Sequence, residues 1–225
     1  MAEIKKILIA NRGEIVQRAI RTIKEMGKKS VAVYSAGDKN ASYLKHADEA
    51  VCIGGAKSSE SYLNIPALIT AAEMTGCDAI FPGYGFLSEN QDFVEICKLH
   101  NIKFIGPSSE VMEKMADKSK AKEEMVRAGV PVVPGSKGAV RTLDEGKKIA
   151  REIGYPIMAK ASAGGGGRGM RLIKEEKDFD SQYLAASSEA LAAFGDGTMY
   201  LERFINNPRH IEVQVIGDSH GNAIH

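Results

Sequence analysis

Short apolar segments recur along the first half of the chain, and a stretch long enough for a helix follows each of them. These segments lie at residues 7–10, 31–34, 50–53, 79–81 and 103–105. Apolar runs that alternate with helical stretches predict βαβ units, because consecutive parallel strands need a crossover connection between them. The first part of the chain, residues 1–116, is therefore predicted to be an α/β unit built on a parallel sheet.

The stretches between these segments have the periodicity of amphipathic helices. In residues 14–26, apolar side chains recur on one face and Gly27 follows as a stop. The same pattern predicts helices at about 63–75, 89–100, 109–115 and 118–128. Asn90 and Ser108 are the expected caps, and Gly76 and Gly129 are the expected stops.

A second unit is predicted to begin after Gly129, where two prolines and two glycines occur within residues 130–138. The pattern beyond them is that of a small α+β unit, with helices at 142–153 and 176–193 and strands at 156–161, 169–173 and 198–203. Residues 211–215 then alternate apolar and polar side chains, which predicts a further strand with a hairpin partner and an unpaired apolar edge prone to association.

Charge and composition exclude several classes of protein. The chain of 225 residues has 30 basic and 29 acidic residues, so its net charge is +1. Such a charge is too small for binding to a nucleic-acid backbone. No apolar stretch could cross a membrane, and no signal peptide is recognisable. Cys52, Cys77 and Cys97 are too widely spaced for a metal site, so they are expected to be reduced, buried thiols of a cytoplasmic protein.

A run of four glycines lies in the segment Lys160-Ala-Ser-Ala-Gly-Gly-Gly-Gly-Arg-Gly-Met. Consecutive glycines allow several backbone N–H groups to point at one anion, and Lys160 and Arg168 add positive charge. The segment is not a P-loop, because GK[ST] is absent and two strands flank it. A phosphate-binding flap is favoured over the alternative, a flexible hairpin tip.

Two further loops follow strands at the carboxyl edge of the predicted sheet, where doubly wound folds bind their ligands. The first, residues 11–14, reads NRGE, and the second, residues 82–90, reads PGYGFLSEN. Either loop could line a cleft, but helix capping with a solvated ion pair explains the first equally well and a capped βα turn explains the second better. The single glycine in the first loop disfavours a nicotinamide- or flavin-binding fingerprint.

Four segments together resemble biotin carboxylases of the acetyl-CoA carboxylase and pyruvate carboxylase type. They are IANRGEI at 9–15, PGYGFLSEN at 82–90, KASAGGGGRGM at 160–170 and NPRHIEVQV at 207–215. The resemblance implies a Rossmann-like pre-ATP-grasp domain at 1–116 and an α+β ATP-grasp lid at 117–204. It also implies that residues 205–225 form the first strands of a truncated central ATP-grasp sheet.

The resemblance also implies a nucleotide site. Lys118 and Lys160 would contact the phosphates as point charges, and the backbone of Gly166 and Gly167 would close over them. Main-chain groups of the segment Glu202, Arg203, Phe204 and Ile205 would bind adenine, and His210 would lie beside the ribose. Taken alone, each lysine resembles a surface side chain and the histidine resembles a solvated or capping residue.

The family's reaction carboxylates biotin on a carrier protein, using bicarbonate and ATP with Mg²⁺ or Mn²⁺ through carboxyphosphate. By the resemblance, the biotin carboxyl carrier protein and a carboxyltransferase are the expected partners, and acetyl-CoA, pyruvate and propionyl-CoA all stay open as final acceptor. Acetyl-CoA as acceptor would imply fatty acid biosynthesis. The family's catalytic and metal-binding residues are expected beyond residue 225, so the chain alone is expected to be inactive.

Two alternatives stay open beside this hypothesis. Another ATP-grasp ligase, such as a carbamoyl-phosphate synthetase or a purine-pathway enzyme, would share the flap and the lysines. A non-catalytic dimerisation module would use the helix at 14–26, where the resemblance places Arg21 and Glu25 in a homodimer interface. Their spacing of four residues equally suits an ion pair within one helix.

Overall fold

The structure is a computed structural model that describes residues 3–116, 118–162 and 169–225, with the side chains of residues 118–120 left out. The chain divides into two compact units, Met1–Ala116 and Asp117–His225. Each unit has its own sheet and its own hydrophobic core. No described helix is long and apolar enough to cross a membrane.

The sheet of the first unit has five strands, all parallel. They are β1 (Lys6–Ile9), β2 (Lys29–Tyr34), β3 (Glu49–Cys52), β4 (Ala79–Phe81) and β5 (Lys103–Phe104). Their order in the sheet is β3-β2-β1-β4-β5, so the first strand lies at the centre. The predicted α/β class and all five predicted strands are confirmed.

Helices cover both faces of this sheet. They are α1 (Glu14–Glu25), α2 (Ile65–Met74), α3 (Gln91–Leu99) and α4 (Ser109–Ala116). Leu8 and Ile80 belong to the core cluster that contains buried residues of α2 and α3, whereas Ile7 and Ile9 belong to the cluster of α1. This division follows from the alternation of side chains along a strand, since both faces of a parallel sheet are buried.

Side-chain caps fix the starts of α2 and α3. The Asn90 side chain accepts a hydrogen bond from the Phe93 N–H, which confirms the predicted cap. Asn64 caps α2 in the same way through the Ala67 N–H, although this cap was not predicted from the sequence. Such caps satisfy backbone donors that have no partner inside the helix.

The second unit has a three-stranded antiparallel sheet. Its elements are α5 (Lys118–Arg127), α6 (Leu143–Ile153), β6 (Ile157–Ala161), β7 (Met170–Ile173), α7 (Phe179–Phe194) and β8 (Met199–Arg203), and the strand order is β7-β6-β8. One face of the sheet packs on α6 and α7 around the fully buried Phe179. The predicted elements of this unit are confirmed within a few residues.

An irregular segment runs along the outer edge of β8. Ser136 N–H donates to the Leu201 carbonyl, Val140 N–H donates to Met199, and Arg203 N–H donates back to Pro134. Residues 134–140 therefore satisfy the backbone groups of a strand that would otherwise be a free edge.

The predicted strand at 211–215 is wrong. Residues 207–215 are irregular, and the side chains of Ile211, Val213 and Val215 are exposed. The strands that form near the end of the chain are the two-residue β9 (Ile216–Gly217) and β10 (Ala223–Ile224), which pair with each other. Alternation marks a face that a sheet could bury, but these residues have no neighbouring strand among the described residues to pair with.

The cysteine prediction is correct for two of the three residues. Cys77 and Cys97 are buried and free, and burial raises the pKa of both thiols, to about 12 for Cys97. Cys52 is exposed, because it ends the edge strand β3. The expectation of three buried thiols is therefore wrong at Cys52.

Candidate functional site

The sheet of the second unit has one face that the helices α6 and α7 do not cover. Met158 lies directly opposite Leu172 and Glu202, and Lys160 lies directly opposite Met170 and Tyr200. Side chains of directly opposed residues share a face in an antiparallel sheet. These six residues, called the open face below, form a surface that combines apolar side chains with a cation and an anion, as a nucleotide's ring and phosphates require.

Glu202 sits between two lysines at this face. Its Oε2 lies 2.7 Å from Lys160 Nζ, and its Oε1 lies 3.3 Å from Lys122 Nζ. The side chains of Glu202, Lys160 and Lys122 are 17%, 31% and 18% exposed, so water screens this cluster only partly. Two ammonium groups for one carboxylate leave a local excess of positive charge, as a phosphate site needs.

Gly135 makes room for Lys122 in this cluster. A Cβ atom at position 135 would lie 2.7 Å from Lys122 Nζ and 2.4 Å from the Leu201 carbonyl oxygen. Real Cβ atoms do not approach so closely, so a larger residue would push apart the segment, the strand and the lysine. The proximity of Lys122 to Glu202 therefore depends on a glycine in the segment beside β8.

Lys160 also lies over an aromatic ring. Its Nζ is 5.8 Å from the centre of the Tyr200 ring, within the range of a cation–π contact. Burial, and secondarily the charge of Glu202, raises the pKa of Tyr200 to about 12, so the phenol is neutral at physiological pH. Among the described residues of the second unit, Lys160 thus has one anionic and one aromatic partner.

The predicted adenine-binding segment begins at Glu202 and leaves the sheet. Arg203 N–H donates to the Pro134 carbonyl, and Phe204 N–H donates to the Pro156 carbonyl. The Arg203 side chain donates to the Ile153 carbonyl at the end of α6, at 2.6 Å. Two of the segment's N–H groups are thus engaged within the chain, and binding of a base edge would fall to other main-chain groups of Glu202 to Ile205.

Part of the predicted phosphate site lies outside the described residues. This holds for Gly166, Gly167 and the side chain of Lys118. What the structure does describe is the pair of antiparallel strands β6 and β7 that the glycine-rich segment connects, with Ala161 N–H donating to the Gly169 carbonyl. The strand–loop–strand arrangement predicted around the glycines is confirmed at its two ends.

His210 belongs to the exposed segment that precedes β9. Its side chain is 84% exposed, and its Nε2 lies 3.1 Å from Glu212 Oε2. Among its described contacts there is none to Lys160 or Glu202. The predicted placement beside a ribose therefore stays a prediction.

In the first unit, the loops after β1 and β4 meet at the carboxyl edge of the sheet. The buried Asn11 side chain donates to the main-chain carbonyls of Pro82 and Tyr84, at 2.8 Å each, and the Tyr84 hydroxyl donates to Glu14. The strands β1 and β4 are neighbours whose helices α1 and α3 lie on opposite faces, which is the switch point where doubly wound sheets bind ligands.

Arg12 lies beside this junction in an aromatic and acidic setting. Its guanidinium is 5.6 Å from the Tyr62 ring centre and 5.7 Å from that of Phe86, and 3.7 Å from the Asp38 carboxylate. Hydrogen bonds from the hydroxyls of Tyr62 and Ser35, together with Arg12, lower the pKa of Asp38. An open cleft of about 600 Å³ adjoins the cluster, with Arg12 and Asp38 among its lining residues.

Two arrangements, a cluster of metal ligands and an ion pair within α1, are absent from the described residues. Within residues 3–116, 118–162 and 169–225, no three His, Cys, Asp or Glu side chains converge as metal ligands would. Arg21 and Glu25 are both exposed on α1 and form no ion pair with each other, so the intrahelical pair considered above is absent from this structure.

Lys122 was not predicted as a site residue from the sequence. It stands in the segment KSKAKEE, where a lysine normally belongs to a solvated helix face. The available signal was its spacing of four residues from Lys118, which a helix places on one side. Gly135 and the Asp38–Tyr62 contact were also missed, because both depend on partners far away in the sequence.

Comparison with known families divides the chain in two. Residues 3–112 match the family described as "Biotin carboxylase, N-terminal domain". Residues 117–225 match the family described as "Carbamoyl-phosphate synthase L chain, ATP binding domain".

Individual relatives cover almost all of this chain. The biotin carboxylase of Nostoc sp. is 57% identical over 220 residues, which are 98% of this chain and 49% of the relative. A crystal structure of a biotin carboxylase–β,γ-ATP complex from Campylobacter jejuni is 70% identical with a TM-score of 0.88, over 99% of this chain and 50% of that one.

A third relative was solved as a dimer with ligands. This structure, of the Hydrogenobacter thermophilus 2-oxoglutarate carboxylase biotin carboxylase domain with MgADP, ADP and bicarbonate, is 49% identical with a TM-score of 0.84, over 100% of this chain and 49% of that one. The chain spans about half the length of the curated relatives it matches.

Proposed function

The chain belongs to the biotin carboxylase family, and from this membership we propose that the protein carboxylates biotin on a carrier protein, using bicarbonate and ATP. The observation that carries the proposal is the open face of the second unit, where Lys122 and Lys160 converge on Glu202 beside the connection of β6 and β7. Its excess positive charge and its apolar side chains suit a nucleoside polyphosphate.

In this proposal, different residues of the second unit bind different parts of the nucleotide. Lys160 and Lys118 contact the phosphates, and the backbone of Gly166 and Gly167 closes over them, while residues 202–205 hold adenine and His210 lies by the ribose. The C. jejuni structure is a complex with β,γ-ATP and the H. thermophilus structure is a complex with MgADP, which supports nucleotide binding by this chain.

The chemistry proposed for the protein begins with attack of bicarbonate on the γ-phosphate of ATP, giving carboxyphosphate and ADP. The carboxyl group then passes to a ureido nitrogen of biotin, and phosphate leaves. Carboxyphosphate is labile in water, so closure over the site would protect it. Bicarbonate, named in the H. thermophilus structure, supports this substrate.

The residues that the structure describes do not fit a magnesium site of their own, since no three ligand side chains converge. We therefore assign no step to Mg²⁺ or Mn²⁺ within this chain. The family membership supports a divalent cation delivered with the nucleotide, as in the MgADP of the H. thermophilus structure.

The proposed partners are the biotin carboxyl carrier protein and a carboxyltransferase, and the proposed location is the cytoplasm. Acetyl-CoA carboxylase activity, in fatty acid biosynthesis, and pyruvate carboxylase activity are both forms of the proposal, since the similar proteins include biotin carboxylases and the biotin carboxylase subunit of a pyruvate carboxylase. We also propose a homodimer through α1, with Arg21 and Glu25 in its interface. The exposure of both side chains and the dimer of the H. thermophilus structure support it.

A second candidate is a ligase with another acceptor, since the family matched by residues 117–225 is named after carbamoyl-phosphate synthase. The match of residues 3–112 to the biotin carboxylase N-terminal domain favours biotin. Phosphate release by the protein that depends on biotin rather than ammonia would separate the two candidates.

Calorimetric titration of the chain with Mg·ATP tests the nucleotide assignment. We expect binding by the parent chain and loss of most of it in a double variant, Lys118→Ala with Lys160→Ala, because two phosphate-binding charges are removed. The matched control removes two exposed lysines of the same unit, Lys174→Ala with Lys177→Ala, and should bind as the parent does. Equal affinity in both double variants would contradict the assignment.

A further inference from the structure

Glu202 contacts two lysines that have different surroundings. Lys160 lies opposite Met170, at the end of the strand pair where the glycine-rich connection begins. Glu202 lies opposite Met158, two pairs further from that connection. Lys122 reaches the other oxygen of the carboxylate from α5, at 3.3 Å. The two ammonium groups are therefore bound at separate oxygens, and one can leave without displacing the other.

A single ammonium group would suffice to balance the charge of Glu202. The carboxylate is only 17% exposed, so losing its sole cation would leave a poorly solvated charge without a partner, which is strongly unfavourable. If Lys160 were that sole cation, a phosphate could recruit it only against this penalty. With Lys122 in place, the carboxylate keeps one cation after Lys160 has moved.

Gly135 is a second observation that points to Lys122. The backbone beside β8 approaches so closely that a Cβ atom would overlap the Lys122 ammonium at 2.7 Å. The segment thus leaves space for Lys122 beside Glu202, and the three residues fit together as one arrangement. By contrast Arg127, also on α5, pairs with Glu124 on the same helix at an exposed site.

We propose that Lys122 is a positioning residue that holds Glu202 when Lys160 transfers from this carboxylate to the phosphates of a bound nucleotide. The inference rests on the proposed nucleotide-binding function. Lys122 contacts no phosphate in this scheme. It lowers the free-energy cost of releasing Lys160, and so favours nucleotides that carry phosphates over adenosine.

The test compares the binding of ADP and of adenosine, by calorimetry, to the parent chain and three variants. Lys122→Met should weaken ADP binding about tenfold and adenosine binding less than about twofold, since adenosine does not recruit Lys160. Lys122→Arg keeps the charge and should restore most of the ADP affinity. Arg127→Met, which removes a cation elsewhere on α5, should change neither affinity.

A double-mutant comparison separates this role from direct phosphate binding. In a Lys160→Met background there is no lysine to release, so adding Lys122→Met should weaken ADP binding much less than it does in the parent. An equal loss in both backgrounds would mean that Lys122 binds phosphate itself and would overturn the proposal.

Other results would also overturn it. Equal losses of ADP and adenosine affinity in Lys122→Met would show that Lys122 has a general structural role. Unchanged ADP affinity in this variant would show that Lys122 has no role in binding the nucleotide. Failure of Lys122→Arg to restore binding would show that charge is not what matters. If the parent chain bound neither ligand, the proposed function itself would fail for this chain, and the inference would fall with it.

Discussion

Asn11 donates a hydrogen bond from its side-chain amide to the main-chain carbonyl of Tyr84, 73 residues further along the chain, at 2.8 Å. Gly83 is part of the same contact, because a Cβ atom there would lie 3.0 Å from the Asn11 amide nitrogen. One buried side chain therefore fixes the distance between the loops that follow β1 and β4, at the edge of the sheet where ligands are expected.

We expect Asn11→Ala to lower the free energy of unfolding by about 2 kcal/mol, because the carbonyls of Pro82 and Tyr84 lose a buried donor. Urea unfolding followed by circular dichroism would measure it. Asn40→Ala, at an exposed position of the same unit, is the control and should stay within about 0.5 kcal/mol of the parent. Equal stability of the two variants would show that the junction is held by other contacts.

The hydrogen bonds of Asp78 should make the free energy of unfolding depend on pH. Its carboxylate accepts hydrogen bonds from the N–H groups of Lys5 and Lys6, which lower its pKa. A lowered pKa adds stability that is present above the unfolded value of about 4 and is lost as the pH falls through the folded value. Asp78→Asn should therefore cost about 1 kcal/mol at pH 7 and progressively less below pH 4. If the variant and the parent differed in free energy of unfolding by the same amount at pH 3 and pH 7, the prediction would be contradicted.

Gly146 is required by packing rather than by backbone conformation. It lies inside α6, and a Cβ atom there would approach the Phe179 ring to 2.7 Å. Gly146→Ala should therefore destabilise the second unit by about 2 kcal/mol, although alanine favours a helix. The control is Gly138→Ala, where a Cβ atom meets nothing within 4 Å and stability should change by less than about 1 kcal/mol. Thermal unfolding of both variants checks the difference.

The three thiols should differ in reactivity. Cys52 is exposed, whereas burial raises the pKa of Cys77 and Cys97 and hides both from reagents. Brief alkylation of the folded chain at pH 8, followed by mass spectrometry, should label Cys52 and leave the other two free. In urea all three should react. Rapid labelling of Cys97 in the folded chain would show that the first unit opens readily.

The proposed dimer can be tested at Arg21. Arg21→Glu should weaken self-association, because a charge that faces the partner is reversed, and sedimentation would then show a larger share of monomer. Lys98→Glu makes the same change in charge on α3 and serves as the control. A sedimentation coefficient that does not change in Arg21→Glu would remove the support for an interface at α1.

The elements of both units could be predicted because their signals are local. The five parallel strands and the helices between them follow from periodicity over ten to fifteen residues, and the Asn90 cap follows from one residue type in one place. The prediction of a strand at 211–215 was wrong because a strand does not depend on local signals alone. A strand needs a neighbour, and alternation in one segment does not say whether a neighbour is present.

The candidate site shows the same limit. Lys160 and Glu202 could be named because their segments resemble those of a known family. Lys122 could not, because its role depends on contact with a carboxylate 80 residues away and on space left by Gly135. Charged residues that meet across such separations leave no mark in the local pattern.

The central position of β1 affects how the chain can fold during synthesis. Ile9 pairs with Phe81, so the sheet is incomplete on one side until 72 further residues have been made. At ribosomal speeds this is a delay of roughly 4 to 14 s, during which the apolar strand has at most one neighbour. Of the five strands of this sheet, β1 is thus made first and is among the last to be paired on both sides. A translational pause before β4 would leave its edge open to aggregation, whereas rapid synthesis of residues 35–81 would protect it.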